Sequence, residues 1–123
     1  ITNWPIDEEG NLRTVNEPKT KTVVVVENKT IYADPNPKLI GATEVDGYSK
    51  ATVFVHIENG IDTYVNVAFM ANNISYTVGT ISIRSPTSQN GDNYAIWGPN
   101  MEFYVCENYD RYITVTIIVY LMT

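Results

Sequence analysis

A chain of 123 residues and 13.8 kDa, 44% hydrophobic and only 18% charged, has the size of one domain and enough apolar material for one core, which excludes wholesale disorder. A net charge of −6, a pI of about 4.6 and eight scattered basic residues exclude a phosphate-binding stripe, so nucleic acid is not an expected partner. No apolar run approaches the roughly 20 residues of a bilayer span, so membrane insertion is not expected either.

"NWPIDEEGNLRTV" (Asn3–Val15) comes first, polar in the middle and apolar at both ends. The chain opens "ITNW" without a start Met or a signal-peptide pattern, which reads as a processed or trimmed chain; processing would agree with export. Residues 1–21 are expected to form an extended arm or loose hairpin, with Ile1, Trp4, Ile6, Leu12 and Val15 as its apolar anchors. A solvated tail has no need of those side chains. Residues 22–123 are expected to form the folded domain.

From Thr22 onward, short β-branched or aromatic runs alternate with turn residues, and no stretch has a helical period. "KTVVVVEN" (Lys21–Asn28) predicts a strand buried on both faces, and Asp34-Pro35 with Asn36-Pro37 predicts a turn. "KATVFVHIEN" (Lys50–Asn59) and "TYVNVAFM" (Thr63–Met70) alternate with period two, and the intervening Asn59-Gly60 predicts a hairpin between them. In "ISYTVGTISIRS" (Ile74–Ser85) the apolar parity switches, which predicts a bulge or kink at Gly79-Thr80. "SPTSQNGDN" (Ser85–Asn93) reads as a loop and "YAIW" (Tyr94–Trp97) as a short strand ended by Gly98-Pro99. "MEFYVCEN" (Met101–Asn108) and "YITVTIIVYLM" (Tyr112–Met122) close the chain, the latter with Ile113, Val115, Ile117, Val119 and Leu121 on one face. About eight strands and no helix predict an all-β fold: an antiparallel sandwich of two sheets, jelly-roll or Ig-like in connection, with a closed β-barrel as the alternative.

Little here supports catalysis. His56 is the only histidine, and it lies in mid-strand between Val55 and Ile57. Hydrolytic triads need such a base beside a nucleophile and a carboxylate. Cys106 is the only cysteine, which rules out a thiol-rich metal site and reads as a small buried apolar residue. Asp34, Asp46, Asp62, Asp92 and Asp110 fall in predicted turns, where carboxylates bond local backbone. "NGDN" (Asn90–Asn93) offers oxygen atoms without the regular acidic spacing of an EF-hand, so no metal is assigned and no cofactor is expected.

What remains concerns surfaces. Asn28-Lys29-Thr30 and Asn73-Ile74-Ser75 are sequons in predicted turns, making Asn28 and Asn73 candidate glycosylation sites if the chain is exported. Tyr64, Tyr94, Trp97, Tyr104 and Tyr120, with Phe54, stand opposite or beside the expected core. Such aromatics are buried by a neighbouring subunit, stack on sugar rings, or are covered by loops.

"GYSKATVFVHIENG" (Gly47–Gly60) and "GPNMEFYVCENYDRYITVTIIVYL" (Gly98–Leu121) resemble the C-terminal β-sandwich modules of archaeal, bacterial and phage surface proteins. The second stretch resembles their closing strand pair, and "NWPIDEEGNL" resembles their N-terminal arms. The resemblance covers about half of the chain. It implies a non-enzymatic role in a surface structure, filament or virion, outside the cell, and brings no catalytic residues. The expected partner is a second copy of the chain, joined when the arm adds as a strand to a bare sheet edge, either Val23–Val26 or the C-terminal strand. A carbohydrate-binding module using Tyr94 and Trp97 is the alternative, with glycans as its partners.

Overall fold

The computed structural model describes residues 19–123. Ile1, Trp4, Ile6, Leu12 and Val15, the expected arm anchors, lie outside the described residues. Eight strands follow: β1 (Thr20–Ala33), β2 (Lys38–Glu44), β3 (Lys50–Glu58), β4 (Asp62–Ala71), β5 (Ile74–Arg84), β6 (Gln89–Ala95), β7 (Asn100–Glu107) and β8 (Arg111–Met122). All pairings between them are antiparallel.

The pairing rule is simple. β4 pairs with β5, β3 with β6, β2 with β7 and β1 with β8, as in one long ribbon folded at the β4–β5 hairpin. Rolling that ribbon also brings β8 beside β3 and β7 beside β4. Two four-stranded sheets result, β1-β8-β3-β6 and β2-β7-β4-β5, which is a jelly roll. Among the described residues both sheets end in open edges, so the sandwich form is the one adopted and the barrel is not.

The core lies between the sheets, on the alternating faces expected from the sequence. Ile113, Val115, Ile117, Val119 and Leu121 of β8 are fully buried against Val53, Val55 and Ile57 of β3 and Phe103 and Val105 of β7. Each fully buried Val, Ile or Phe side chain contributes about 1.5–3 kcal/mol of hydrophobic stabilisation, so this interleaved layer holds the two sheets together.

Four sequence expectations need correction. Asn59-Gly60 does not close a hairpin, because β3 pairs with β6 and β8 whereas β4 lies in the other sheet. Asn59 does take positive φ (67°), but the turn there carries the chain across the core from one sheet to the other. The tight hairpin is β4–β5, where Asn72 and Asn73 both have positive φ (50° and 67°), the backbone of a two-residue primed turn. β1 is an edge strand with Val24 exposed, so its valine run is not buried on both faces. The expected loop at Ser85–Asn93 largely becomes β6, an edge strand whose polar residues suit a half-solvated position. Finally, β8 lies between β1 and β3 with both edges paired, so the C-terminal strand has no free edge to receive an arm.

The parity switch in β5 is a bulge. Val67 faces Gly79 and Ala68 faces Thr77, leaving Val78 as the extra residue, one position before Gly79. Glycine is required beside it. A Cβ on Gly79 would sit 2.8 Å from Tyr94 Cε1 and 3.0 Å from its hydroxyl, so the missing side chain is what lets the Tyr94 ring seal β6 against β5. Asn90 adds to that seal by donating from Nδ2 to the Ser82 carbonyl at 3.0 Å.

Candidate functional site

Strand direction sorts the loops into two ends. At one end lie the starts of β1, β3, β5 and β7, the ends of the other four strands, the β2–β3 and β6–β7 loops and the β4–β5 hairpin. Lys19, the first described residue, also lies here. Lys19 N–H donates to Thr123 Oγ1 (2.9 Å), and Thr123 N–H returns a bond to the Lys19 carbonyl (3.0 Å). Ser49 N–H donates to the Met122 carbonyl (3.0 Å), Ile96 N–H to the Ser49 carbonyl (3.0 Å) and Val45 N–H to the Pro99 carbonyl (2.8 Å). This ladder ties the start of β1 to the β6–β7 loop.

Trp97 projects from that loop and is 70% exposed. Its ring lies 6.3 Å from that of Tyr76, tilted by 45°. Phe69, Met70, Ala71, Asn72, Ile74 and Gly98 complete a cavity of about 490 Å³ around the pair. The register explains why it is apolar. Phe69 faces Tyr76 and Ala71 faces Ile74, and Phe69 is a core residue, so Tyr76 and Ile74 stand on the core-facing side of their sheet. They are nonetheless 62% and 73% exposed, because neither sheet covers them at the mouth of the sandwich. Among the described residues, the pocket is a part of the core left open beside the unpaired edge of β5.

The other sequence-predicted aromatics do not gather there. Tyr64 and Tyr104 lie on the outer face of the β2-β7-β4-β5 sheet, in diagonal register since Tyr64 faces Cys106 and Asn66 faces Tyr104. The Tyr64 hydroxyl accepts from Arg84 Nη2 (3.1 Å), and the Tyr104 hydroxyl donates to Glu102 Oε1 (3.1 Å), as does Ser75 Oγ (2.9 Å). Tyr120 lies on the opposite outer face, between Thr22 and Thr52, one row from an apolar ladder of Val24, Ile118 and Phe54. Tyr94 is half-buried on Gly79, and burial, then the Asp92 charge, pushes its hydroxyl up to about 12. That hydroxyl has no hydrogen-bond partner among the described residues. Tyr94→Phe is therefore expected to raise stability by about 1 kcal/mol, because an unpaired buried hydroxyl only opposes folding. Thermal melts of the two proteins check this, and a loss of similar size would show that the hydroxyl is paired.

Tyr76 and Ile74 carry the pocket, and the sequence reading did not single them out. Asn72-Asn73 was the available signal, since a two-residue turn there places both residues at the tip of a hairpin. Of the sequons, Asn73 sits at that exposed tip, whereas Asn28 lies within β1, at a register irregularity. Asn28 N–H donates to Thr116 Oγ1 (3.0 Å) and its side-chain oxygen accepts from the same hydroxyl (3.3 Å), so it is not in a turn.

The opposite end of the sandwich is polar. Asp62 accepts from Arg84 Nε (3.1 Å) and Asn108 Nδ2 (2.6 Å), and its own N–H donates to Glu107 Oε2 (2.9 Å). The buried Thr63 hydroxyl donates to the other Glu107 oxygen. Burial acts to raise the Asp62 pKa, but hydrogen bonds from Tyr64 and Asn108 and the Arg84 guanidinium outweigh it and hold the carboxyl below its ordinary value. Such a group stabilises the fold above its unfolded pKa of about 3.9, and the contribution is lost as pH falls through the lower folded value. The difference in melting temperature between the native protein and Asp62→Asn is thus expected to be largest near neutral pH and to shrink below about pH 4. A difference that grows with acid would contradict this.

None of these clusters resembles a catalytic centre. His56 Nε2 faces Glu58 at 3.5 Å on a solvated strand face, with no nucleophile between them. Cys106 is half-buried beside Tyr64, and burial, then the adjacent Glu107, pushes its thiol up, away from the reactive thiolate. Among the described residues no group of His, Cys, Asp or Glu converges as a metal site.

No protein-family model matches the chain, and no curated protein matches it. Solved structures do share the fold. A subunit of the Bacillus endospore appendages, described as disulfide-linked pili, is 11% identical with a TM-score of 0.60, over 99% of this chain and 98% of that one. The SPBc2 prophage-derived protein YomS is 14% identical with a TM-score of 0.59, over 92% of this chain and 100% of that one. The VP2 subviral particle of infectious bursal disease virus is 8% identical with a TM-score of 0.55 over 87% of this chain, which spans about a third (33%) of the viral chain. At these identities the likeness is one of fold.

Proposed function

We propose that the chain is a non-enzymatic structural subunit of an extracellular assembly, a surface filament or virion appendage, and that copies join when residues 1–18 of one add as a strand to a sheet edge of another. The observation that carries this reading is the end-to-end match of fold to a pilus subunit, 99% of one chain on 98% of the other. Part of the chain of a viral VP2 subviral particle shares the same sandwich. The body offers β1, β6, β2 and β5 as edges, and added strands gain main-chain hydrogen bonds there. The pilus subunits are described as disulfide-linked. Residues 1–18 contain no cysteine, so the arm of this chain would hold by packing and hydrogen bonds alone. Electron microscopy of the purified chain tests the reading: fibres, rings or uniform oligomeric particles are expected, and monomers at all concentrations would refute it.

A carbohydrate-binding module is the second reading, and it draws on the exposed Trp97 ring beside Tyr76. Flat sugar faces stack on such rings. On that reading Trp97→Ala abolishes glycan binding while leaving oligomeric state alone.

A further inference from the structure

We infer that the pocket of Phe69, Ile74, Tyr76 and Trp97 receives Trp4 and Ile6 of a neighbouring copy, with the segment around Pro5 lying as an added strand along the free edge of β5. This rests on the arm-exchange reading above and names its receiving edge. Among the described residues the pocket exposes core-facing side chains, so it has room for further core material, and the sequence ahead of Lys19 holds apolar residues of the kind that would fill it. Trp4 and Ile6 are two residues apart and fall on one face of a strand, as alternate pockets along a sheet edge demand. Pro5, between them, directs its missing N–H away from β5, where a proline is tolerated and where it blocks a further strand.

Reach and direction agree. Eighteen residues precede Lys19 and extend up to about 60 Å, while the four strands from β1 to β6 span only about 15 Å. Because Lys19 and the pocket lie at the same end of the sandwich, two copies meeting at that end can exchange arms mutually. A mutual exchange closes into a dimer, whereas an arm passed on to a third copy extends the assembly into a ring or fibre.

The full-length chain with Cys106→Ser, Asn3→Cys and Ala71→Cys tests this. Under oxidised glutathione it is expected to give reducible links between copies, seen as multiples of the subunit mass on a non-reducing gel. Trp97→Ala, at an exposed position, is expected to keep the fold and to weaken association at least tenfold, and Trp4→Ala to do the same. A link confined to one copy overturns the proposal. So does assembly that forms no link and ignores Trp97→Ala, although this leaves arm exchange at another edge standing. Quenching of Trp97 by oligosaccharides with no change in mass also overturns it and hands the pocket to sugars. If assembly is unchanged when residues 1–18 are removed, the arm-exchange reading itself fails.

Discussion

Replacing Phe103 by alanine is expected to lower the stability of the fold by about 3–5 kcal/mol, as truncation of a buried aromatic does when its surroundings cannot collapse. Phe103 is fully buried in β7, a strand paired on both sides, opposite Val67 of β4 and Gly41 of β2. Gly41 itself is closely packed, with the Val25 Cγ1 2.7 Å from where its Cβ would be, so neighbours on that side have little freedom to fill the space. In a domain of about 100 residues a loss of this size lowers the melting temperature by about 15–30 °C. Calorimetry reads it directly, and a shift of only a few degrees would mean that the sheets repack.

Glu107→Ala is the second large effect. The Glu107 carboxyl is fully buried and takes hydrogen bonds from the Thr63 hydroxyl and the Asp62 N–H. Removing it leaves both donors without an acceptor at the start of β4, at a cost of about 2–5 kcal/mol. Glu107→Gln keeps an oxygen at the same reach and is expected to lose about half as much. Equal losses for the two variants in denaturant melts would show that packing, and not hydrogen bonding, holds this end together.

Much of this fold could be read in the residues themselves. The β8 alternation from Ile113 to Leu121 gave the strand and its buried face, and Gly79 marked the bulge to within one residue. Pairing was harder. Asn59-Gly60 and Asn72-Asn73 both supply positive φ, yet one turn crosses between sheets and the other closes a hairpin. Local turn chemistry is the same in both cases; only the ribbon's overall roll separates them. β6 was hidden because an edge strand can be built from Gln, Asn, Gly and Asp, and β2 because two prolines draw attention to the turn before it. For the candidate site, Trp97 was recognisable as a surface aromatic. Tyr76 and Ile74 were not, since alternation says which way a side chain points but not where the opposing sheet stops. Tyr64, Tyr104 and Tyr120 scatter over two outer faces for a related reason: long-range pairing decides which strands become neighbours.

Mass in solution, measured by light scattering for the full chain and for a chain lacking residues 1–18, tests arm-mediated assembly most directly. All eight described strands lie within Thr20–Met122, so circular dichroism is expected to show that the shortened chain keeps its β-sheet fold. The full chain is expected to run as oligomers and the shortened one as a 105-residue monomer at the same concentration. Identical oligomers from both would contradict the proposal that the arm joins the subunits.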